Sequence, residues 1–344
     1  MANPKRILII RRKGIGDMLL AMPLVVALRD VWPDTKIFMV ADGYVHDAIE
    51  GSPYLEQVVV YDEKELTSGS LARQLSKAVR WVRMLRALEC DLVLDLHGTP
   101  QTATWTRATG APTRLGRPRR FRTWAYTIVV PDPPPGFGGK GLHFLEALGI
   151  ESPPWKPAPG GPLEHDNADV DRTLAALFPN DRPLVLINPG GGWPSKLWPP
   201  DKFAALARLI AGADLANVAV AWAPGEEAMR DRVVDLAEGH ASALPATDLT
   251  TLAAYLKAAD LVVSNDTGPK HMAAGEGTPT LTIFGPSDPE VWEAPIEQNR
   301  WISNPVPCSP CNEVHCVVPG HPCLTGLSAE LVMAEVIEML DRRG

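Results

Sequence analysis

Three stretches of the chain combine residue types and spacings that could do chemistry. The first is "RRKGIGDMLLAMP", Arg11 to Pro23, which follows the apolar run "ILII". Gly14 and Gly16 open a turn of the kind that precedes a helix in dinucleotide sites, but Leu19 stands where the third glycine belongs. Asp17 would also repel a pyrophosphate placed there. The turn therefore brings its backbone, Gly16 included, close to a different ligand, and Asp17 is free to act as a base. The second stretch is "PGGGWPSKLWPPDKF", in which Gly190, Gly191 and Gly192 permit close approach of a ligand, and Ser195 and Lys196 add a hydroxyl and a cation. It lacks the spacing of a P-loop, and a plain flexible loop would also look like this. The third is "NDTGPKHMAAGEGTP": Pro269 suits a first helical turn, which leaves Thr267 and Gly268 at the positive end of a helix, an anion site. His271 can point into the same place, or be an ordinary buried histidine. Glu226, with Glu227 beside it, opens another helix, either as favourable end charge or as an acceptor for a ribose diol.

These loops need elements to hold them. Short apolar runs recur at 6–11, 36–40, 57–61 and 91–96, and again at 184–188, 218–223, 260–264 and 280–284. Helical patterns near 201–211, 226–238, 249–258 and 269–276 separate the second set. Between the third and fourth runs, Leu71, Leu75, Val79, Val82, Leu85 and Leu88 form one apolar helix face. Strands apolar throughout and alternating with helices imply parallel sheets covered on both faces. The pattern occurs twice, with the proline-rich "ESPPWKPAPGGPLE" between. The expected fold is α/β, two Rossmann-like, doubly wound parallel-sheet domains facing across a cleft, at 1–160 and 161–326, with a last helix in 327–344. The loops above follow strands, where ligands of such sheets bind, and those of the second domain converge on a diphosphate-sized site.

The bulk numbers exclude other classes. A chain of 344 residues with 45% apolar and 22% charged content is an ordinary globular protein, long enough for two domains. No run reaches the ~18 apolar residues of a membrane span, and the N-terminus does not read as a secretory signal. Cytoplasmic residence is expected. The net charge of −8 disfavours nucleic-acid partners. One local basic cluster, Arg107, Arg114, Arg117, Arg119, Arg120 and Arg122, is either a solvated loop or a site for phosphate or carboxylate. Trp105, Trp124 and Tyr126 beside it suit either a membrane surface or a core.

Cys90 ends the long helix and reads as a small buried hydrophobe. The other cysteines, Cys308, Cys311, Cys316 and Cys323, lie within sixteen residues, interleaved with His315 and His321. A structural zinc or iron site, free or buried thiols, and disulfides all remain open for them.

Five blocks together resemble the bacterial heptosyltransferases of glycosyltransferase family 9: "ILIIRRKGIGDMLLAMPLVVALRD", "DLVLDLHGTPQTATWTRATGAPTRLG", "NPGGGWPSKLWPPDKFAALA", "DLVVSNDTGPKHMAAGEGTPTLTIFGPSDP" and the cysteine-bearing "CSPCNEVHCVVPGHPCL". The resemblance implies the GT-B fold, with the last helix packing back on the first domain. It implies an inverting transfer without a catalytic metal, from ADP-L-glycero-β-D-manno-heptose to a Kdo or heptose of the lipopolysaccharide inner core. Asp17 matches the general base. Lys196 matches the lysine near the donor phosphate. Asp266, Thr267, Gly268 and His271 match the loop for diphosphate and sugar, Glu226 the ribose-binding glutamate, and Thr247 falls near the adenine pocket. Lys13, Arg117 and Arg120 become candidates for acceptor carboxylates and phosphates. Some protein-modifying relatives carry cysteine-bound iron, which bears on the cysteine cluster. A lipid-linked acceptor implies peripheral contact with the inner membrane face. Rival readings are a GT-B-like nucleotide-sugar epimerase, a transferase acting on protein or another acceptor, a dinucleotide-dependent dehydrogenase, and a metal-stapled binding module.

Overall fold

The computed structural model describes residues 3–118, 122–133, 141–162 and 167–342. The chain divides into two compact units, Met1–Leu163 and Glu164–Gly344. In the first unit the described strands are β1 (Arg6–Ile10), β2 (Lys36–Asp42), β3 (Gln57–Tyr61), β4 (Leu92–Asp95), β5 (Thr113–Gly116) and β6 (Ile128–Val129), in the spatial order β3-β2-β1-β4-β5-β6. The second has β7 (Leu184–Asn188), β8 (Asn217–Val220), β9 (Ser242–Ala243), β10 (Leu261–Asn265), β11 (Thr280–Phe284) and β12 (Arg300–Ser303), in the order β12-β11-β10-β7-β8-β9. The ladders are parallel; Ile7–Ile10 run beside Leu92–Asp95, and Val185–Asn188 beside Leu261–Ser264.

The central strands are buried along their whole length, apart from Arg6 at the start of β1, which is why they read as unbroken apolar runs rather than alternating ones. The eight expected strands all form. Four more, β5, β6, β9 and β12, lie towards the sheet edges, and β6 and β9 are only two residues long, so none of them carries an unbroken apolar run. In each sheet the chain order reverses at one place, between β1 and β4 and between β7 and β10. The carboxyl ends of strands at such reversals are where loops splay apart and ligands enter. Asp17 follows β1, the Gly190–Gly192 turn follows β7, and Thr267 follows β10.

One expectation about packing fails. The stripe on the helix Leu71–Ala87 is not a core face throughout: Trp81 and Leu85 are buried, whereas Leu71, Leu75 and Val79 stand exposed. Periodicity identifies a stripe, and neighbours decide whether it is covered. The last helix, Ala329–Asp341, buries apolar side chains within the second unit. Val332, Met333, Val336 and Met339 pack in the second unit's core with Phe203, Leu206 and Ile210 of the helix Pro200–Gly212. That face complements an apolar surface already formed by its own sheet's covering helix. Val336→Ala should therefore lower the stability of the second unit by about 2 kcal/mol, through lost burial and the cavity left behind. Chemical denaturation of the full chain measures this.

Candidate active site

The second unit carries the denser constellation. At its centre is Asp266, buried in the turn after β10. Its Oδ2 accepts from Lys196 Nζ at 2.6 Å and from Ser287 Oγ at 2.6 Å. Its Oδ1 lies 3.2 Å from Lys270 Nζ. Burial alone would raise this carboxyl, but the charges of Lys270, Lys196 and His271 outweigh it and hold the group well below the usual carboxylate range. Lys270 is itself buried and completes its pairing with Glu293, 3.0 Å away, and the Trp292 carbonyl. Lys196 keeps part of its surface exposed, with its ammonium 4.9 Å from the Trp193 ring centre and 5.5 Å from that of Trp292. Asp266 thus holds Lys196 in place from behind. The sequence suggested that Asp266 itself meets the donor; its oxygens also meet two lysines and a serine within the protein.

Around this pair the backbone forms a cradle. The helix Gly268–Glu276 begins one residue after Thr267, with Pro269 in its first turn, and His271 is buried in it. Asn188 donates to Thr267 Oγ1 at 3.3 Å, and Asn265 donates to the Pro189 carbonyl at 2.8 Å, so the loops after β7 and β10 are tied together. A Cβ on Gly191 would strike the Thr267 methyl, and one on Gly190 would overlap the Glu226 carboxylate. Those glycines are required by close approach within the protein. Glu226 accepts from the Gly191 N–H at 2.8 Å and the Ala223 N–H at 2.9 Å. It therefore staples the glycine turn to the start of the helix Glu227–Leu236. Thr247, partly exposed, precedes the cap residue Asp248 of the helix Leu249–Ala258. Ser195 departs from expectation: it is buried and donates to the Glu313 carbonyl at 2.5 Å, which anchors the loop to the cysteine segment.

In the first unit, Asp17 lies in the short helix Ile15–Leu19, partly exposed and ion-paired with Arg11. Gly14 has φ +83°, a left-handed conformation, and a Cβ there would come 2.9 Å from Asp17 Oδ2. Arg11 also donates to the Leu96 carbonyl at 3.2 Å, which sets the guanidinium and with it the carboxylate. Arg12 points the other way, into the core. It bonds Asp42 at 2.8 Å and lies 4.1 Å from the Tyr61 ring centre and 5.3 Å from that of Trp105. His97, after β4, is pushed down to about 4 by burial and by Arg11 and Arg12, so it is neutral at pH 7. Its Nδ1 has no hydrogen-bond partner among the described residues.

The expected acceptor cations are mostly occupied. Lys13 bonds Glu63 at 2.7 Å, and Arg117 bonds Asp132 at 2.6 Å. Arg114 and Arg122 donate to main-chain carbonyls. Arg119 and Arg120 lie outside the described residues. Gly16 is partly exposed and accepts the Leu20 N–H within its helix. Trp105 and Tyr126 are core residues, which removes them from any surface, while Trp124 is exposed.

Cys308, Cys311, Cys316 and Cys323 line one cavity of about 60 Å³, with His321 beside them, and none forms a disulfide. No three ligand atoms of this cluster lie within 4.8 Å of one another; among the described residues that closeness occurs at His46, Asp47 and Glu50, on the surface. The four thiols share this one pocket.

The pattern of "Glycosyltransferase family 9 (heptosyltransferase)" matches residues 78–321. The chain belongs to that family. Lipopolysaccharide heptosyltransferase 1 of Pseudomonas aeruginosa is 25% identical over 326 residues, 90% of this chain and 87% of the relative. A family 9 glycosyl transferase of Veillonella parvula superposes with a TM-score of 0.81 at 20% identity, over 99% of this chain and 100% of the other. The Escherichia coli heptosyltransferase WaaC with ADP-2-deoxy-2-fluoro heptose superposes with a TM-score of 0.73 at 21% identity, over 97% and 99%. These likenesses show the GT-B fold. Family membership sets aside the epimerase, dehydrogenase and binding-module readings. Asp17 precedes the matched span, so its place rests on the full-length relatives and on the local geometry.

Sequence reasoning for this family 9 enzyme missed Lys270, Asn188, Asn265 and Glu293. Lys270 had a readable signal, its i,i+4 spacing from Asp266. Asn188 and Asn265 had only their places at strand ends. Asp266→Asn should destabilise the protein by about 3 kcal/mol, since it leaves two ammonium groups without their shared counter-charge. A carboxyl held below its ordinary value contributes fully above about pH 4 and loses that contribution as pH falls further. Thermal melts from pH 7 to pH 3 should therefore show the variant's deficit shrinking at the acid end. A thiol reagent at pH 8 should modify the exposed Cys308, Cys311 and Cys316 readily. Cys90 and Cys323, which burial pushes up to about 12 and about 11, should react only on unfolding.

Proposed function

We propose that this enzyme transfers a heptose from an ADP-heptose donor to a sugar hydroxyl of the lipopolysaccharide inner core, Kdo or heptose, with inversion at the anomeric carbon. The single observation that carries the donor side is Lys196, held at 2.6 Å by buried Asp266 beside the N-terminus of the helix Gly268–Glu276. A fixed ammonium and the N-terminus of a helix suit a diphosphate. ADP, the leaving group, gains negative charge as the bond to the sugar breaks, and preorganised positive groups offset that charge most in the transition state. Glu226, with each carboxylate oxygen accepting one backbone N–H, retains acceptor capacity for a ribose hydroxyl, and Thr247 lies towards the base.

In this reading Asp17 takes the proton of the acceptor hydroxyl as that oxygen attacks the anomeric carbon. The carbon–oxygen bond to the β-phosphate breaks on the opposite side, and its electron pair leaves with ADP. Arg11 fixes the carboxylate, and neutral His97 supplies a hydrogen-bonding group without adding charge beside the base. The named relatives that carry ADP-heptose analogues or act on lipopolysaccharide support donor and acceptor class alike. The step draws on side chains and helix N–H groups, and the cysteine cluster has no part in it.

Calorimetry should show ADP binding clearly more tightly than UDP or GDP, with no gain from NAD. Equal affinity for the three diphosphates would break the donor assignment. Asp17→Ala should lower turnover on inner-core acceptors about 10²–10⁴-fold while leaving ADP affinity nearly unchanged. Loss of ADP affinity with retained turnover would remove Asp17 from the role of base.

A further inference from the structure

Two tryptophans stand beside the Lys196 ammonium, and the transfer step gives neither of them a task. The ammonium lies 4.9 Å from the ring centre of Trp193 and 5.5 Å from that of Trp292. The rings come from different loops. Trp193 belongs to the loop after β7, and Trp292 ends the short helix Pro289–Trp292 that follows β11. Both backbones are held. The Trp193 carbonyl accepts the Lys196 N–H at 2.9 Å, and Ser195 between them is tied to the Glu313 and Val314 carbonyls. The Trp292 carbonyl accepts from the buried Lys270 ammonium at 2.9 Å. Trp292 is half-buried, whereas Trp193 is 38% exposed.

A single exposed apolar side chain is ordinary on a protein surface. This one adjoins a cation whose place is already fixed by Asp266 at 2.6 Å, so the ring is not needed to position the ammonium. A flat apolar face beside a fixed cation suits a ligand that is anionic at one end and apolar-faced at the other. A pyranose bonded to a phosphate is such a ligand, with hydroxyls around its edge and C–H bonds on its faces. A phosphate oxygen that meets the ammonium sits about 3 Å from it. The sugar bonded to that phosphate then comes within reach of a ring centred 4.9 Å from the same ammonium. We infer that the Trp193 indole is the platform for the sugar ring of the donor, and that it gives the enzyme its preference for the sugar nucleotide over bare ADP. The inference rests on the donor reading above. Lys196 cannot supply this preference, because it meets the diphosphate that both ligands share. After transfer ADP no longer covers the indole, so the contact that holds the donor does not hold the product.

The test is calorimetry of the full-length protein with ADP and with the unreactive analogue ADP-2-deoxy-2-fluoro heptose, without acceptor. The wild type should bind the analogue about tenfold more tightly than ADP. Trp193→Ala should lose about tenfold in affinity for the analogue and less than about twofold for ADP, and Trp193→Phe, which keeps a flat apolar face, should restore most of the loss. In turnover the alanine variant should raise the donor KM about tenfold with kcat nearly unchanged, the mark of a contact made alike in ground and transition states. Unchanged melting confirms that both variants fold. Equal losses for ADP and analogue would make Trp193 a support for Lys196 through its ring face and overturn the inference. So would an analogue affinity that the alanine variant leaves unmoved, or a phenylalanine variant no better than alanine. Wild-type protein that binds ADP but not the analogue more tightly overturns this inference alone. Wild-type protein that binds neither overturns the donor reading, and this inference with it.

Discussion

The second unit is organised around one buried carboxylate. Removing an ionised group from water costs several kcal/mol, and Asp266 is acceptable in its place only because two ammonium groups and a hydroxyl surround it. That requirement reaches far along the chain. It brings Lys196 from the loop after β7, Lys270 from the helix behind, and Ser287 from the loop after β11 to one point. Lys270, wholly buried, needs Glu293 in turn. A folding constraint thus leaves one ammonium of the group, that of Lys196, with access to solvent and fixed in place.

The glycine turn illustrates a related limit. Gly190 and Gly191 look like residues that make room for a ligand, and the family's donor lends itself to that view. The structure shows that the room is first needed by the protein, for the Glu226 carboxylate and the Thr267 methyl. Asn188 and Asn265 lock the same loops through side-chain bonds across 79 and 76 residues of sequence. Such bonds preorganise the cradle, so less ordering is left for the moment of binding.

The first unit solves a different problem with similar means. Adjacent arginines are directed apart. Arg12 enters a cage of Tyr61 and Trp105 and closes on Asp42, which fixes the strand end; Arg11 remains near the surface and positions Asp17. The aromatic faces and the carboxylate together make burial of Arg12 tolerable. The Asp17 carboxylate is therefore set by a residue whose neighbour in sequence is part of the core.

Much of this was present in the linear chain. Eight of the strands, the helices between them, the two parallel sheets and the loops that carry Asp17, Lys196 and Thr267 follow from local periodicity and from the rule that ligand loops follow strand ends. Those signals are local, and a chain of amino acids carries them without a fold. What only tertiary structure decided is which group faces which. Ser195 and Asp266 turn inward, Lys13 and Arg117 are neutralised by Glu63 and Asp132, the last helix joins the second core, and the stripe of Leu71 is left bare. Each outcome depends on partners distant in sequence, Lys196 and Asp266 being seventy residues apart, and burial and ion pairing are properties of the assembled chain.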